Sequence, residues 1–105
     1  MHTVVMKRVV IIGDCDLEHL VLQEILDLGA TGYTLHNVRG KGGRGIRPRH
    51  EVSGNLKIEV IATPDVARSI LEHISKNYFH KYAMIGFLDD VEVLHGEEFG
   101  AAARK

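Results

Sequence analysis

Cysteine is almost missing from this chain: Cys15 stands alone. Without a second thiol, an intramolecular disulfide, redox control through a cysteine pair and a thiolate-rich zinc site are all excluded. Long apolar runs are missing as well. No stretch nears the roughly 18 apolar residues of a membrane helix. The Met1-His2-Thr3 start also lacks the basic region, apolar stretch and cleavage site of a secretory signal. A cytoplasmic protein that inserts into no membrane is the expectation. Acidic residues are lacking from one segment in particular: Arg39, Lys41, Arg44, Arg47 and Arg49 follow one another with no acid between them, although the whole chain carries a net charge of −1. A focused cationic stretch on an otherwise acidic body reads as a local anion site rather than a broad nucleic-acid-binding face. The plainer reading is a solvated basic turn.

What is present suits one compact unit. A chain of 105 residues, 45% hydrophobic and 26% charged, can bury one core but not two, so residues 1–105 are read as a single domain. Val4 to Ile12 is β-branched and almost continuously apolar, as in a strand buried on both sides or at an oligomer contact. Leu17, Leu20, Val21, Ile25 and Leu28 then recur at helical spacing, predicting a helix over about 16–28 with Asp14 and Asp16 as N-cap acceptors and Gly29 at the left-handed C-terminal position. Tyr33–Val38 and Leu56–Val60 have strand patterns. Thr63 followed by Pro64 opens a second helix to about residue 78, with Val66, Ala67, Ile70, Leu71, Ile74 and Tyr78 as its apolar stripe. Ala83–Leu88 is a fourth strand, extended by Val91–Leu94 past a turn at Asp89 and Asp90, and about 97–105 is a short tail. This order, βαββαβ, is the α+β ferredoxin-like sandwich. Both helices cover one sheet face, and the apolar first strand with Ile61 suggests that the other face is covered by self-association.

The chemistry concentrates in the loop of about 40–54 that joins strands two and three. Gly40, Gly42, Gly43 and Gly45 let backbone amides approach a ligand closely and form an anion nest. Lys41 adds a point charge, and Arg44 and Arg47 add planar forks that match phosphate or carboxylate oxygens in pairs. The loop is not the P-loop of nucleotide hydrolases, since no Ser or Thr follows Lys41. Nor is it the dinucleotide fingerprint, because it joins two hairpin strands rather than a strand and a crossover helix.

Taken together, Gly29-Ala-Thr-Gly-Tyr-Thr-Leu-His-Asn-Val-Arg-Gly-Lys-Gly-Gly-Arg-Gly-Ile-Arg47, Lys57-Ile-Glu-Val60, Tyr78-Phe79, Tyr82-Ala83 and Glu92-Val-Leu-His-Gly96 resemble the PII-like signalling proteins, in particular the carboxysome-associated PII and SbtB-like subgroup. The resemblance implies a homotrimer with an adenine nucleotide in the cleft between neighbouring subunits, beneath the long loop this family calls the T-loop. It assigns Gly40, Lys41, Gly42, Gly43, Arg44 and Arg47 to the phosphates, and Asn37 with the backbone around Gly86 and Phe87 to the adenine and ribose. ADP or AMP is the implied ligand, with ATP or cyclic AMP as alternatives and bicarbonate as a possible second ligand. The implied role is signalling in inorganic-carbon acquisition, to a protein target such as a bicarbonate transporter or a carboxysome-linked protein. The redox tail of many SbtB proteins, the uridylylated T-loop tyrosine and the Gly-Lys-Ile-Gly-Asp-Gly B-loop of true PII proteins have no counterpart among these residues.

Three other readings stand beside it. RNA-recognition domains share the strand order, but they stack bases on sheet aromatics, and Leu56–Ala62 contains none. Seven histidines invite a metal site, yet His36, His50, His73, His80 and His95 show no ligand spacing, and no metal is expected. No catalytic residue is assigned. A slow nucleotide hydrolase is the alternative, and a trimer of metal-tolerance type that binds no nucleotide is another.

Overall fold

The computed structural model describes residues 1–40 and 54–99. In chain order the elements are strand β1 (Thr3–Asp14), a 3-10 turn (Cys15–Leu17), helix α1 (Glu18–Asp27), strands β2 (Thr34–Val38) and β3 (Asn55–Ala62), helix α2 (Pro64–Asn77), strand β4 (Ile85–Leu94) and a closing 3-10 turn (Gly96–Phe99). The strands form one sheet in the order β2-β3-β1-β4, with every neighbouring pair antiparallel. This is the expected ferredoxin-like arrangement.

Side chains alternate across the sheet. One set, Val9 and Ile11 of β1 with Leu56, Ile58, Val60 and Ala62 of β3, packs under both helices against Val21, Ile25, Ala67, Ile70 and Ile74. The α1 stripe is displaced from the predicted one. Val21, Leu22 and Ile25 are buried, whereas Leu20 is 55% exposed, because the first turn is 3-10 and rotates the α-helical face that follows. Asp14 caps that turn, its carboxylate accepting from the Asp16 N–H at 2.8 Å. At the other end of α1 the Gly29 N–H reaches the Leu26 carbonyl and the Ala30 N–H the Ile25 carbonyl, both at 3.1 Å, with Gly29 at φ +115°. This paired reverse bonding is the Schellman cap that Gly29 predicts. At α2, Thr63 is extended and its carbonyl accepts from the Ala67 N–H at 2.9 Å, but its side chain makes no cap bond.

The expected turn at Asp89 and Asp90 is corrected: both lie inside a continuous β4, opposite Arg8 and Lys7 of β1. Cross-strand ion pairing accommodates two acids in mid-strand. Arg8 donates to both Asp89 oxygens, from Nε at 3.0 Å and Nη2 at 2.8 Å, and from Nη1 to Glu59 at 3.3 Å. The Arg8 hydrogen bonds hold the Asp89 carboxyl below its usual range, against a smaller opposing effect of burial and with help from the Arg8 charge. Lys7 pairs with Asp90. Arg8 lies on the face turned away from the helices, among Met6, Val10, Ile85 and Phe87. Met6 and Val10 are buried, but Ile85 and Phe87 stay 45% and 44% exposed.

β3 stops pairing at Ala62, opposite Lys7, while β1 and β4 run on together to the pair Thr3 and Leu94. A two-stranded ribbon therefore extends past the four-stranded part. The chain turns back over it at His95, a non-glycine residue at φ +55°. Gly96 follows so close to Val4 that a Cβ there would lie 2.9 Å from the valine Cβ.

The two helices are tied by polar groups as well as by the core. The Tyr78 hydroxyl donates to Glu24 Oε1 at 2.6 Å, and His73 Nε2 lies 2.7 Å from the same oxygen. Asn77 Nδ2 approaches His73 Nδ1 at 3.1 Å, which assigns the donor hydrogen of the neutral ring to Nε2. Burial pushes the Glu24 carboxyl up, but the bonds from Tyr78 and His73 outweigh it and leave it below its ordinary range. Burial, then the bond to Glu24, pushes the Tyr78 phenol far up. A lowered Glu24 stabilises the fold above the usual carboxylate pKa of about 4.3, and that stability disappears as pH falls through the lowered value. A raised Tyr78 stabilises it below about pH 10, with the loss on the alkaline side. Tyr78→Phe is expected to cost about 1–2 kcal/mol at neutral pH and to move the acid-unfolding midpoint upward, as urea melts from about pH 3 to pH 8 will report. An unchanged acid limb would show that this hydrogen bond does not set the Glu24 titration.

Candidate functional site

β2 and β3 carry the two roots of the cationic loop. β2 ends at Val38, with Arg39 and Gly40 exposed beyond it, and the chain re-enters through Gly54, at φ +74°, into Asn55. The turn after β1 touches both roots. The Cys15 N–H donates to the Gly54 carbonyl at 3.3 Å, and its Sγ lies 3.9 Å from Asn37 Oδ1. Cys15 is half-buried and packs against the edge of the core. The local sequence explains the arrangement: the buried Asp14 carboxylate fixes the 3-10 turn, which presents the next backbone N–H to the loop root.

The residues proposed from sequence divide into three groups. Lys41, Gly42, Gly43, Arg44 and Arg47 lie outside the described residues. Asn37 and Gly40 are described, both exposed, at one outer edge of the sheet. Asn37 sits opposite Leu56 of β3, and a Cβ built on Gly40 meets nothing within 4 Å. Gly86 and Phe87 sit on β4, the other outer strand, opposite Ile11 and Val10 of β1. Gly86 faces the helix side, where a Cβ would meet the Leu71 side chain at 3.3 Å. Phe87 projects from the opposite face.

Asn37 and Gly86 are thus separated by two intervening strands, roughly 14 Å at the usual inter-strand spacing, with the helices filling the space above. One chain does not bring the two halves of the proposed set together.

Sequence reasoning assigned no site residue to the turn between α2 and β4, although Tyr78-Phe79 and Tyr82-Ala83 carry part of the resemblance. β4 begins opposite Ile12, close to the Asp14 end of β1, so residues 78–84 lie at the same end of the sheet as the loop roots. The turn is well fixed. The Tyr78 and Phe79 N–H groups both donate to the Ile74 carbonyl, at 2.9 and 3.1 Å, and those of Lys81 and Tyr82 both to the Tyr78 carbonyl at 3.0 Å. His80, Lys81 and Tyr82 remain exposed on it. The available signal was an adjacent pair of basic residues followed by tyrosine immediately before a strand.

Among the described residues no group of three His, Cys, Asp or Glu side chains could hold a metal ion, and no helix is long and apolar enough to cross a membrane.

Comparison with known proteins adds independent findings. The family model for nitrogen regulatory protein P-II matches residues 6–98. A PII-like signalling protein from Thermus thermophilus is similar at 37% identity and a TM-score of 0.82, over 94% of this chain and 99% of that one. CPII from Thiomonas intermedia, solved with ADP, AMP and acetate, shares the fold at 20% identity and a TM-score of 0.83, over 94% of this chain and 98% of that one. The same protein solved with ADP and bicarbonate gives 20% identity and a TM-score of 0.81, over 93% and 97%.

Proposed function

Since the chain belongs to the nitrogen regulatory protein P-II family, we propose that it is a regulator which binds ADP or AMP in clefts between the subunits of a homotrimer. ATP or cyclic AMP would occupy the same cleft more weakly. The observation that carries this reading is the split of the candidate residues between the two outer strands, Asn37 and Gly40 on one and Gly86 and Phe87 on the other. Such a site forms at an edge-to-edge junction of copies. The exposed Ile85 and Phe87 on the helix-free face supply apolar surface for that contact. The related CPII crystallised with ADP, AMP and bicarbonate supports the ligand class.

In this reading residues 1–105 act as one domain whose T-loop, about 40–54, supplies the phosphate contacts. Lys41, Arg44 and Arg47 neutralise the diphosphate, and the amides of Gly40, Gly42 and Gly43 donate hydrogen bonds to its oxygens. Bicarbonate, a small planar anion, draws on the same amide and guanidinium donors. The protein then serves inorganic-carbon acquisition, in the carboxysome-associated branch, and passes the signal to a protein target through the shape of the T-loop. It acts by binding and needs no chemical step.

Calorimetric titration with ADP, AMP, ATP and cyclic AMP, each with and without bicarbonate, tests the proposal. Saturable binding of ADP near micromolar strength is expected, weakened by about 2 kcal/mol in Arg47→Ala. Light scattering should give the mass of three chains. Absence of heat with every nucleotide would leave a member of this family that senses something else.

A further inference from the structure

Among the described residues Asp14 is the one charged side chain that is buried, at 5% exposure. The crevice it borders is walled by Ile11, Leu17, Val21, Leu56 and Met84, with Glu18 the other acid along it. A carboxylate in such surroundings needs hydrogen bonds to offset the loss of water. Asp14 accepts one from the Asp16 N–H at 2.8 Å, which closes the 3-10 turn Cys15–Leu17. That turn lies where the loop of about 40–54 begins and ends. Asp14 is the last residue of β1 in register with β3, opposite Asn55, and Asn55 is matched on its other side with Val38, the last residue of β2. Gly54 lies one residue further out, at φ +74°. The Cys15 N–H reaches its carbonyl at 3.3 Å, adding a rung to the β1–β3 ladder beyond the end of β1. At the other root, Cys15 Sγ lies 3.9 Å from Asn37 Oδ1. Two adjacent residues thus meet both ends of the loop, and the carboxylate of the first sets the direction of the second.

Resting on the nucleotide reading above for its ligand, we infer that Asp14 is a positioning residue of the loop: its buried cap holds the 3-10 turn, and the turn fixes the path on which the chain re-enters the sheet at Gly54. Asp14 touches no ligand itself. A loop that binds phosphate pays for its own ordering when the ligand arrives, and a root fixed beforehand removes part of that cost. Gly54 cannot fix its own direction, because a glycine backbone leaves the sheet as readily one way as another. The restraint has to come from a neighbour, and the Cys15 N–H supplies it. The cap asks for an acceptor rather than for a charge. Asparagine or serine at this position can accept the same N–H, and alanine cannot.

The experiment compares wild-type protein with Asp14→Ala, Asp14→Asn and Asp14→Ser by amide hydrogen exchange of the free protein and by titration with ADP and inorganic pyrophosphate. In Asp14→Ala the exchange of the Cys15 amide should quicken about fivefold, the typical worth of a lost cap, while the Val9 and Ile11 amides in the middle of β1 keep their wild-type rates. ADP and pyrophosphate should weaken together, by about the same factor, because the loop and not the base is affected. Asp14→Asn and Asp14→Ser should restore both readouts. Wild-type affinities in Asp14→Ala overturn the positioning role and leave the nucleotide site standing. Faster exchange at Val9 and Ile11 to the same degree as at Cys15 overturns it in favour of a general loss of stability. Failure of both Asp14→Asn and Asp14→Ser to restore the alanine defect overturns the cap as its means. Wild-type protein that binds neither ligand removes the nucleotide reading, and the exchange rates then decide the anchoring of Gly54 alone: selective loss of protection at Cys15 sustains it, and unchanged protection overturns it.

Discussion

Shortening Ile70 to alanine is expected to destabilise the protein by about 3 kcal/mol, from the removed apolar atoms and the cavity left behind. Ile70 is completely buried, in the middle of the α2 stripe formed with Ala67 and Ile74. The helix is pressed against the central strands on that side, so neighbouring groups have little freedom to collapse into the gap. In guanidinium melts at one fixed protein concentration, which matters if assembly adds to stability, the midpoint should fall with the slope unchanged. The melting temperature should drop by roughly 10–20 °C. The control is Leu20→Ala, on the exposed side of α1, expected to stay within about 0.5 kcal/mol of the wild type. If both variants cost the same, α2 is not packed as described.

The second large effect comes from backbone geometry. Gly29→Ala is expected to cost about 3 kcal/mol, from a side chain forced into a backbone region that suits glycine and from overpacking. Gly29 sits at φ +115°, and a Cβ there would lie 3.1 Å from Val66 Cγ2 at the start of α2. Gly32→Ala provides the contrast, since nothing lies within 4 Å of the added carbon. It should be neutral or slightly stabilising, by about 0.5 kcal/mol, through the unfolded chain. In the double variant Gly29→Ala/Val66→Ala the steric part should recover and the backbone part should not. Complete recovery would mean that the Schellman cap does not need glycine.

Where the sequence pattern was local, it was sufficient. The βαββαβ order follows from strand and helix periodicities and from punctuation at Gly29, Thr63 and Pro64, each of which acts within a few residues. Asp89 and Asp90 misled because two adjacent acids usually end a strand. Their partners, Arg8 and Lys7, are some eighty positions away, and only the sheet register reveals them. Leu20 misled for a smaller reason: a 3-10 turn at the start of the helix shifts its face by a fraction of a turn, which a count at period 3.6 cannot register. The candidate site was legible as chemistry in the glycines and arginines of the loop. Its division between two sheet edges was not, because strand order is a property of long-range pairing.

The pairing of the first strand with the last has a bearing on biosynthesis. β1 is an inner strand, flanked by β3 and β4, and Thr3 is matched with Leu94. A nascent chain can form its helices and the β2–β3 hairpin early, but β1 keeps one hydrogen-bonding edge open until β4 has been made and has cleared the ribosome. Pairings of this sequence separation close slowly. The sheet should therefore be completed only once β4 has emerged, with the open edge of β1 until then the point at which a chaperone, or a stray second chain, would gain its hold.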